Sequence, residues 1–365
     1  MSDRPPDVTA AAAGAERRRW RPYPFEIAAW ASLAAAVLFL RANGLRIDWN
    51  TVVYTVPPLF RPTAQVLLTG PLLYGVYLLL RRRPLKPYLR RLADRDWLVL
   101  WLRLWLTCFV FTYAYFWLKV SVPLINYRLW DQELWALDRL VHLGISPSIL
   151  LTELVRGSGL TGPLETWYGW WLPTMMLGLS FFCAAPDAGT RRRFMLSSVL
   201  IWTLGPWIYM AAPALGPIYV YGDNWQEMSS ELPRARTAQA MLWQNYQTVV
   251  AGRQGGLKQF NPTRGIAAMP SLHVGGHWLL LLWIRRRARP CLVPAVIGTG
   301  LTLIGSIVTG WHYALDGYAG IAIASAAYWV AWRLDPEAAE PAEPEGTAVG
   351  AAAASSPPRD PGAGE

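Results

Sequence analysis

Apolar residues run through this chain in blocks of about twenty, the length an α-helix needs to cross the hydrocarbon of a bilayer. Eight such blocks stand out, at 24–40, 63–80, 97–118, 167–185, 194–215, 265–284, 291–309 and 313–332. The pattern predicts an all-α fold, a polytopic membrane helical bundle of about eight transmembrane helices. The first block also has the length of a signal-peptide core, and Arg17, Arg18, Arg19 and Arg21 ahead of it suit either a leader or an anchor. No clear small-residue cleavage site follows it, which favours an uncleaved anchor.

Basic residues in the gaps set an orientation. Arg81, Arg82, Arg83, Lys86, Arg90, Arg91 and Arg95 crowd the second connection. Arg191, Arg192 and Arg193 mark the fourth, and Arg285, Arg286, Arg287 and Arg289 the sixth. These even-numbered connections and both termini are expected in the cytoplasm. The odd-numbered connections, longer or nearly free of positive charge, are expected outside.

The third connection, 119–166, holds Trp130, Leu134, Leu137 and Val141 at helical spacing, with Asp131, Glu133 and Asp138 off that stripe. This predicts an amphipathic helix along the membrane surface, serving as a spacer, a lid or a head-group contact. Beyond Leu334 an Ala/Pro/Glu/Gly-rich tail has too little apolar surface to order itself and is expected to be disordered. The division expected is a basic N-terminus at 1–23, two extra spans in 24–96, a six-span catalytic domain at 97–334 and the tail at 335–365.

Composition agrees with a membrane protein: of 365 residues 53% are hydrophobic and 16% charged, and the 21 Trp and 16 Tyr suit interfacial belts. The net charge of +10 lies in short blocks flanking apolar runs, an anchoring pattern that argues against nucleic acid as a partner. Cys108, Cys183 and Cys291 are scattered and odd in number, with neither a disulfide framework nor zinc-type spacing. Arg103, inside an apolar run, requires a partner or a wet cavity and marks a packed interior face.

Two of the four histidines sit in short motifs at the edges of apolar blocks, Pro270-Ser271-Leu272-His273 and His312-Tyr313-Ala314-Leu315-Asp316. Both motifs fall on the expected outer side. On a helix Asp316 shares a face with His312, so its carboxylate can hold the Nδ1 proton and leave Nε2 as a nucleophilic lone pair. His273, with no acidic neighbour, is cast as the general acid that protonates a leaving oxygen. Pro270 is expected in the first turn of its helix, and free N–H groups at both helix starts are expected to face a bound anion. Phosphoryl transfer uses these parts. The substrate-binding candidates are Ser271 (phosphate donor or helix cap), Arg264, Lys258 and Tyr313. His277, four residues after His273, opens an alternative in which four side chains hold zinc. Its apolar surroundings favour a packing role instead, and neither a metal nor a cofactor is called for.

The PSLH and HYxxD motifs, on consecutive outward-facing loop–helix junctions, resemble those of the type-2 phosphatidic acid phosphatase superfamily. Within it they look most like the inositol phosphorylceramide synthase branch, an inositolphosphotransferase family similar also to sphingomyelin synthases. The resemblance covers roughly 97–332 and implies a six-helix phosphatase-like core, His312 as nucleophile assisted by Asp316, and His273 as acid. It implies metal independence, a phospholipid donor and a ceramide- or diacylglycerol-like acceptor, with hydrolysis of a lipid phosphate as the alternative. Leu272 replaces the Gly of the phosphatase motif, and Gly305-Ser306 stands where the phosphatases carry Ser-Arg. These departures favour the transferase-like branch.

Overall fold

The computed structural model describes residues 21–45, 49–252 and 261–335. Among these the chain is helical, with turns and short 3-10 segments and no strand, so the all-α expectation holds. In chain order the helices are α1 (Pro24–Ala42), α2 (Trp49–Leu80), α3 (Leu85–Leu92), α4 (Arg95–Ile125), α5 (Asp131–Val141), α6 (Pro147–Val155), α7 (Thr161–Gly169) and α8 (Trp171–Cys183). They continue with α9 (Ala188–Ala211), α10 (Pro217–Val220), α11 (Pro233–Ala251), α12 (Leu272–Arg287), α13 (Leu292–Val308) and α14 (Ala314–Leu334). Arg17, Arg18, Arg19, Lys258 and the tail beyond Asp335 lie outside the described residues.

Among the described residues five stretches are long and apolar enough to cross a membrane: Pro24–Ala42, Thr63–Leu80, Arg95–Ile125, Ala188–Ala211 and Arg289–Val308. Of the three other predicted blocks two are altered, and the last forms as one helix over the expected residues. The block at 167–185 is divided into α7 and the 13-residue α8. Pro173 explains the break, because its ring would clash with the carbonyl four residues back, at Gly169, if α7 ran on. In the block at 265–284 the helix begins only at Leu272. The last block is the 21-residue α14, whose apolar run is diluted by Gly, Ala and Ser and ends in Arg333.

The core gathers Leu104 and Cys108 of α4, Phe182 of α8, Phe194 and Val199 of α9, Leu279 and Trp283 of α12, and Ala324 and Ala327 of α14. Phe25 and Ala29 bring α1 onto it. Arg103 finds its partner there: its Nε donates to Glu26 of α1 at 2.6 Å and its guanidinium lies 4.1 Å from the Tyr23 ring centre. The later arginine blocks gather at one end of the bundle. Arg193 and Arg286 both lie over Trp332, near the C-terminal end of α14, and Arg192 pairs with Asp335 at 2.9 Å.

Helix α5 forms as predicted, but the stripe does not decide what is buried: Leu134 packs into the interior, while two of the three carboxylates are buried as well and the end of the stripe is exposed. Asp131 and Asp138 are 2% and 1% exposed, whereas Leu137 and Val141 are 47% and 53% exposed. Hydrogen bonds override the amphipathic expectation. Asp131 accepts from the backbone N–H groups of Leu215 and Gly216 and from the Tyr313 hydroxyl, each at 2.9 Å. Three donors offset the desolvation of one carboxylate, and Leu137 and Val141 are left facing outward while Leu134 stays buried.

Candidate active site

The starts of α12 and α14 meet because glycines let their backbones touch. A Cβ on Gly275 would stand 2.8 Å from the Gly320 carbonyl oxygen, and one on Gly320 would collide with the Ser271 carbonyl. In lipid, where burying apolar surface between helices gains little, such close approach decides which helices pair. The Ser271 N–H donates to the Asp316 carbonyl at 2.8 Å, and the Tyr209 hydroxyl to the Pro270 carbonyl at 3.1 Å. Pro270 is therefore not in the first turn. Ser271 is the N-cap, and its Oγ accepts from the Val274 N–H at 3.4 Å.

His312 lies just outside α14, before the N-cap Tyr313, so it does not share a helix face with Asp316. The carboxylate reaches back through a capping box instead. Asp316 Oδ2 accepts from the Tyr313 N–H at 2.9 Å and lies 3.3 Å from His312 Nδ1. His312 Nε2 then lies 3.3 Å from His273 Nδ1, which is also 2.7 Å from the Tyr168 hydroxyl. The tautomers follow from the ionised aspartate. It accepts a hydrogen bond from His312 Nδ1–H, so Nε2 is a lone pair and His273 Nδ1 carries the proton facing it. Trp171 lies against the far face of His273, with ring centres 3.9 Å apart. The break at Pro173 thus presents Tyr168 and Trp171, from two helices, to one imidazole.

The anion cradle expected at α14 is occupied by the protein itself. The Ala314 and Leu315 N–H groups donate to the Asp138 carboxylate at 3.3 and 3.0 Å. His142, capping α5, donates from Nδ1 to the Asp138 carbonyl at 2.6 Å, and its Nε2 accepts from the Tyr318 hydroxyl at 3.0 Å. Burial holds the Asp138 and Asp131 carboxyls above the usual aspartate range, although the donors they accept from oppose the shift.

His273 and His312 line a cavity of about 790 Å³. The exposed Arg234 and Thr263 mark its mouth, the half-buried Thr166 and Trp311 and the buried Glu165 line it too, and the rest of the lining is largely apolar. Lys119 of α4 lines it too, its Nζ lying 5.6 Å from the Tyr209 ring centre and 5.7 Å from that of Tyr115. Of the substrate-binding candidates, Ser271 is fully buried as a cap. Tyr313 is equally buried, spending its hydroxyl on Asp131. Arg264 is exposed between two cavity-lining residues, and its carbonyl accepts from Asn245 at 3.1 Å. His277 packs as expected, Nδ1 to the His273 carbonyl at 2.8 Å and Nε2 to the Thr174 hydroxyl at 2.7 Å. Among the described residues no group of three or more His, Cys, Asp or Glu side chains is placed to hold a metal ion.

Tyr168, Trp171 and Lys119 belong to this arrangement and were not singled out from the sequence, and Asp138 was placed only on the polar side of a surface helix. Lys119 carries the one signal available there, a lysine adjoining the apolar block at 97–118, the same kind of signal that marks Arg103.

A model of the PAP2 superfamily matches residues 132–330, a stretch that contains both histidine motifs and Asp316. Comparison with curated proteins and with solved structures gives no match. The family match spans more than half of the chain and includes the helix starts on which the two histidines meet, so the protein belongs to the PAP2 superfamily.

Proposed function

We propose that the protein is an integral membrane phosphotransferase that moves a phosphorylated head group between lipids through a phosphohistidine. The observation that carries this reading is the hydrogen-bonded row Asp316–His312–His273–Tyr168 at the edge of a largely apolar cavity. His312 Nε2 attacks phosphorus while Asp316 holds Nδ1–H. The bond from phosphorus to the donor alkoxide breaks, and His273, as an imidazolium beside the bound phosphate, gives that oxygen its Nδ1 proton and is left as the neutral ring. In the second half His273 takes the proton of an acceptor hydroxyl as it attacks and frees His312. In-line displacement needs nucleophile and leaving oxygen on opposite sides of phosphorus, so the entering phosphate parts the 3.3 Å contact between the rings. Lys119 supplies positive charge to the phosphate from the cavity wall.

The departures at Leu272 and Gly305-Ser306 support the inositol phosphorylceramide synthase-like branch over a phosphatase. Hydrolysis shares the first half-reaction, and the exposed Arg234 and Thr263 at the mouth favour access of water as a second reading. The arginine blocks, gathered at the end of the bundle remote from His312, support an extracytoplasmic site with cytoplasmic termini.

The test supplies purified protein in vesicles with a phospholipid donor, with and without ceramide or diacylglycerol. Transfer that needs the acceptor and vanishes in His312→Ala supports the reading. Phosphate release at the same rate without acceptor replaces transfer by hydrolysis, and equal lipid profiles for wild type and His312→Ala sink both.

A further inference from the structure

The cavity continues past the histidines into the bundle. One stripe from each of four helices lines it. Cys108 and Phe111 face it from α4, Met175 from α8, Ser198 and Ile201 from α9 and Leu279 from α12. The lining on α4 runs from Lys119 to Cys108, which at 1.5 Å per residue is about 16 Å of depth. Phe194 is the lining residue nearest the buried Arg193. Its ring stacks on Phe182, with centres 4.7 Å apart, and lies edge-on to Trp283 at 5.7 Å. Phe182 and Trp283 are themselves fully buried, so this aromatic cluster closes the far end.

We propose that this shaft is a binding site for one hydrocarbon chain of the lipid whose phosphate lies between His273 and His312, and that Phe194 sets the longest chain it accepts. The proposal rests on the function argued above and adds a chain-length limit to it. Three features argue for a tail as occupant. The shaft is continuous with the histidine pair, its wall is apolar over successive helical turns, and its one lysine stands at the end where a phosphate would be. Cys108, Phe111 and Lys119 also precede the family match at 132–330, so part of this wall is contributed by sequence outside it.

At about 1.2 Å per bond of an extended chain, 16 Å accommodates on the order of twelve to fourteen carbons. A chain already in lipid gains little by moving into an apolar shaft, so in a bilayer the shaft acts by rejecting chains that overrun its floor. For monomers drawn from water, each methylene up to the floor improves kcat/KM about fourfold, and additions beyond it bring none.

The experiment measures turnover of n-alkyl phosphates of four to eighteen carbons, kept below their critical micelle concentrations, and labelling of His312 by the same compounds. Wild type, Ser198→Phe and Phe194→Ala are compared as full chains in detergent. Ser198→Phe plugs the shaft part-way and is expected to move the optimum to shorter chains. Phe194→Ala opens the floor and moves the optimum to longer chains. Opposite shifts cannot come from general misfolding. An optimum that stays put in both variants, or a loss uniform across chain lengths, overturns the shaft while the chemistry at His312 stands. Failure of wild type to turn over or be labelled by any member overturns the proposed function and the shaft with it.

Discussion

The backbone N–H of Ser271 donates to the backbone carbonyl of Asp316 at 2.8 Å. This bond ties the cap of the helix carrying His273 to the residue that orients His312. It forms where Gly275 and Gly320 bring α12 and α14 into backbone contact, so the spacing of the two imidazoles is set by what those glycines lack.

Gly320→Ala therefore damages the site without touching either histidine. Its methyl meets the Ser271 carbonyl, which belongs to backbone that cannot swing aside. The expected cost is about 1–3 kcal/mol of stability with a larger loss of turnover. Gly300→Ala, where a Cβ meets nothing within 4 Å, is the control and should behave as wild type. Thermal unfolding in detergent and initial rates report both, and wild-type rates in Gly320→Ala would refute the argument.

Asp316→Asn keeps the shape of the carboxylate but can place an amide N–H against His312 Nδ1. The ring then turns its lone pair toward position 316 and presents Nε2–H to phosphorus. A fall in kcat on the order of 10³–10⁴ is expected, as tautomer loss costs in hydrolytic triads. The lost cap adds about 1 kcal/mol of destabilisation. Trapping of labelled phosphoenzyme at His312 should vanish in step with kcat; trapping at wild-type speed would remove Asp316 from the mechanism.

Lys119→Met retains the packing of the stem and deletes the charge. A hydrogen bond to a charged partner is worth about 1.5–3 kcal/mol, so kcat/KM should fall roughly 10- to 150-fold. Lys119→Arg should recover part of it. If turnover of lipid phosphates is unchanged in the Met variant, the phosphate is held elsewhere.

Asp131 makes a prediction in pH. Burial holds its carboxyl above the ordinary value of 3.8, so the folded protein binds that proton more tightly than the unfolded chain. This contribution to stability is complete below 3.8 and drains away as pH rises through the raised folded value. Asp131→Asn no longer titrates and has one acceptor oxygen for three donors, so it is less stable throughout. The gap in Tm between wild type and variant should be widest in acid and narrow on the way to neutral pH. A gap that widens over that range contradicts the assignment.

The long spans were legible because transfer to lipid writes itself into composition, and the two motifs because few histidines border apolar blocks. Three features were not legible, each for a physical reason. Helix α5 shows an apolar stripe whose burial would be expected, yet the donors offered by Leu215, Gly216 and Tyr313 bury Asp131 as well, and those partners lie far off in sequence. The His312–Asp316 contact was anticipated from helical spacing, while the structure makes it by a capping box with His312 outside the helix. Lys119 and Tyr168 become neighbours of His273 only through tertiary packing, which no periodicity along one segment encodes.

Glu26 and Arg103 sit within stretches apolar enough to enter lipid, on α1 and α4, and each neutralises the other. Either helix alone would carry a bare charge into the hydrocarbon, at a cost of several kcal/mol. Biogenesis of this bundle is therefore conditional: the earliest span settles at its final depth only once the span bearing Arg103 has left the ribosome to meet it.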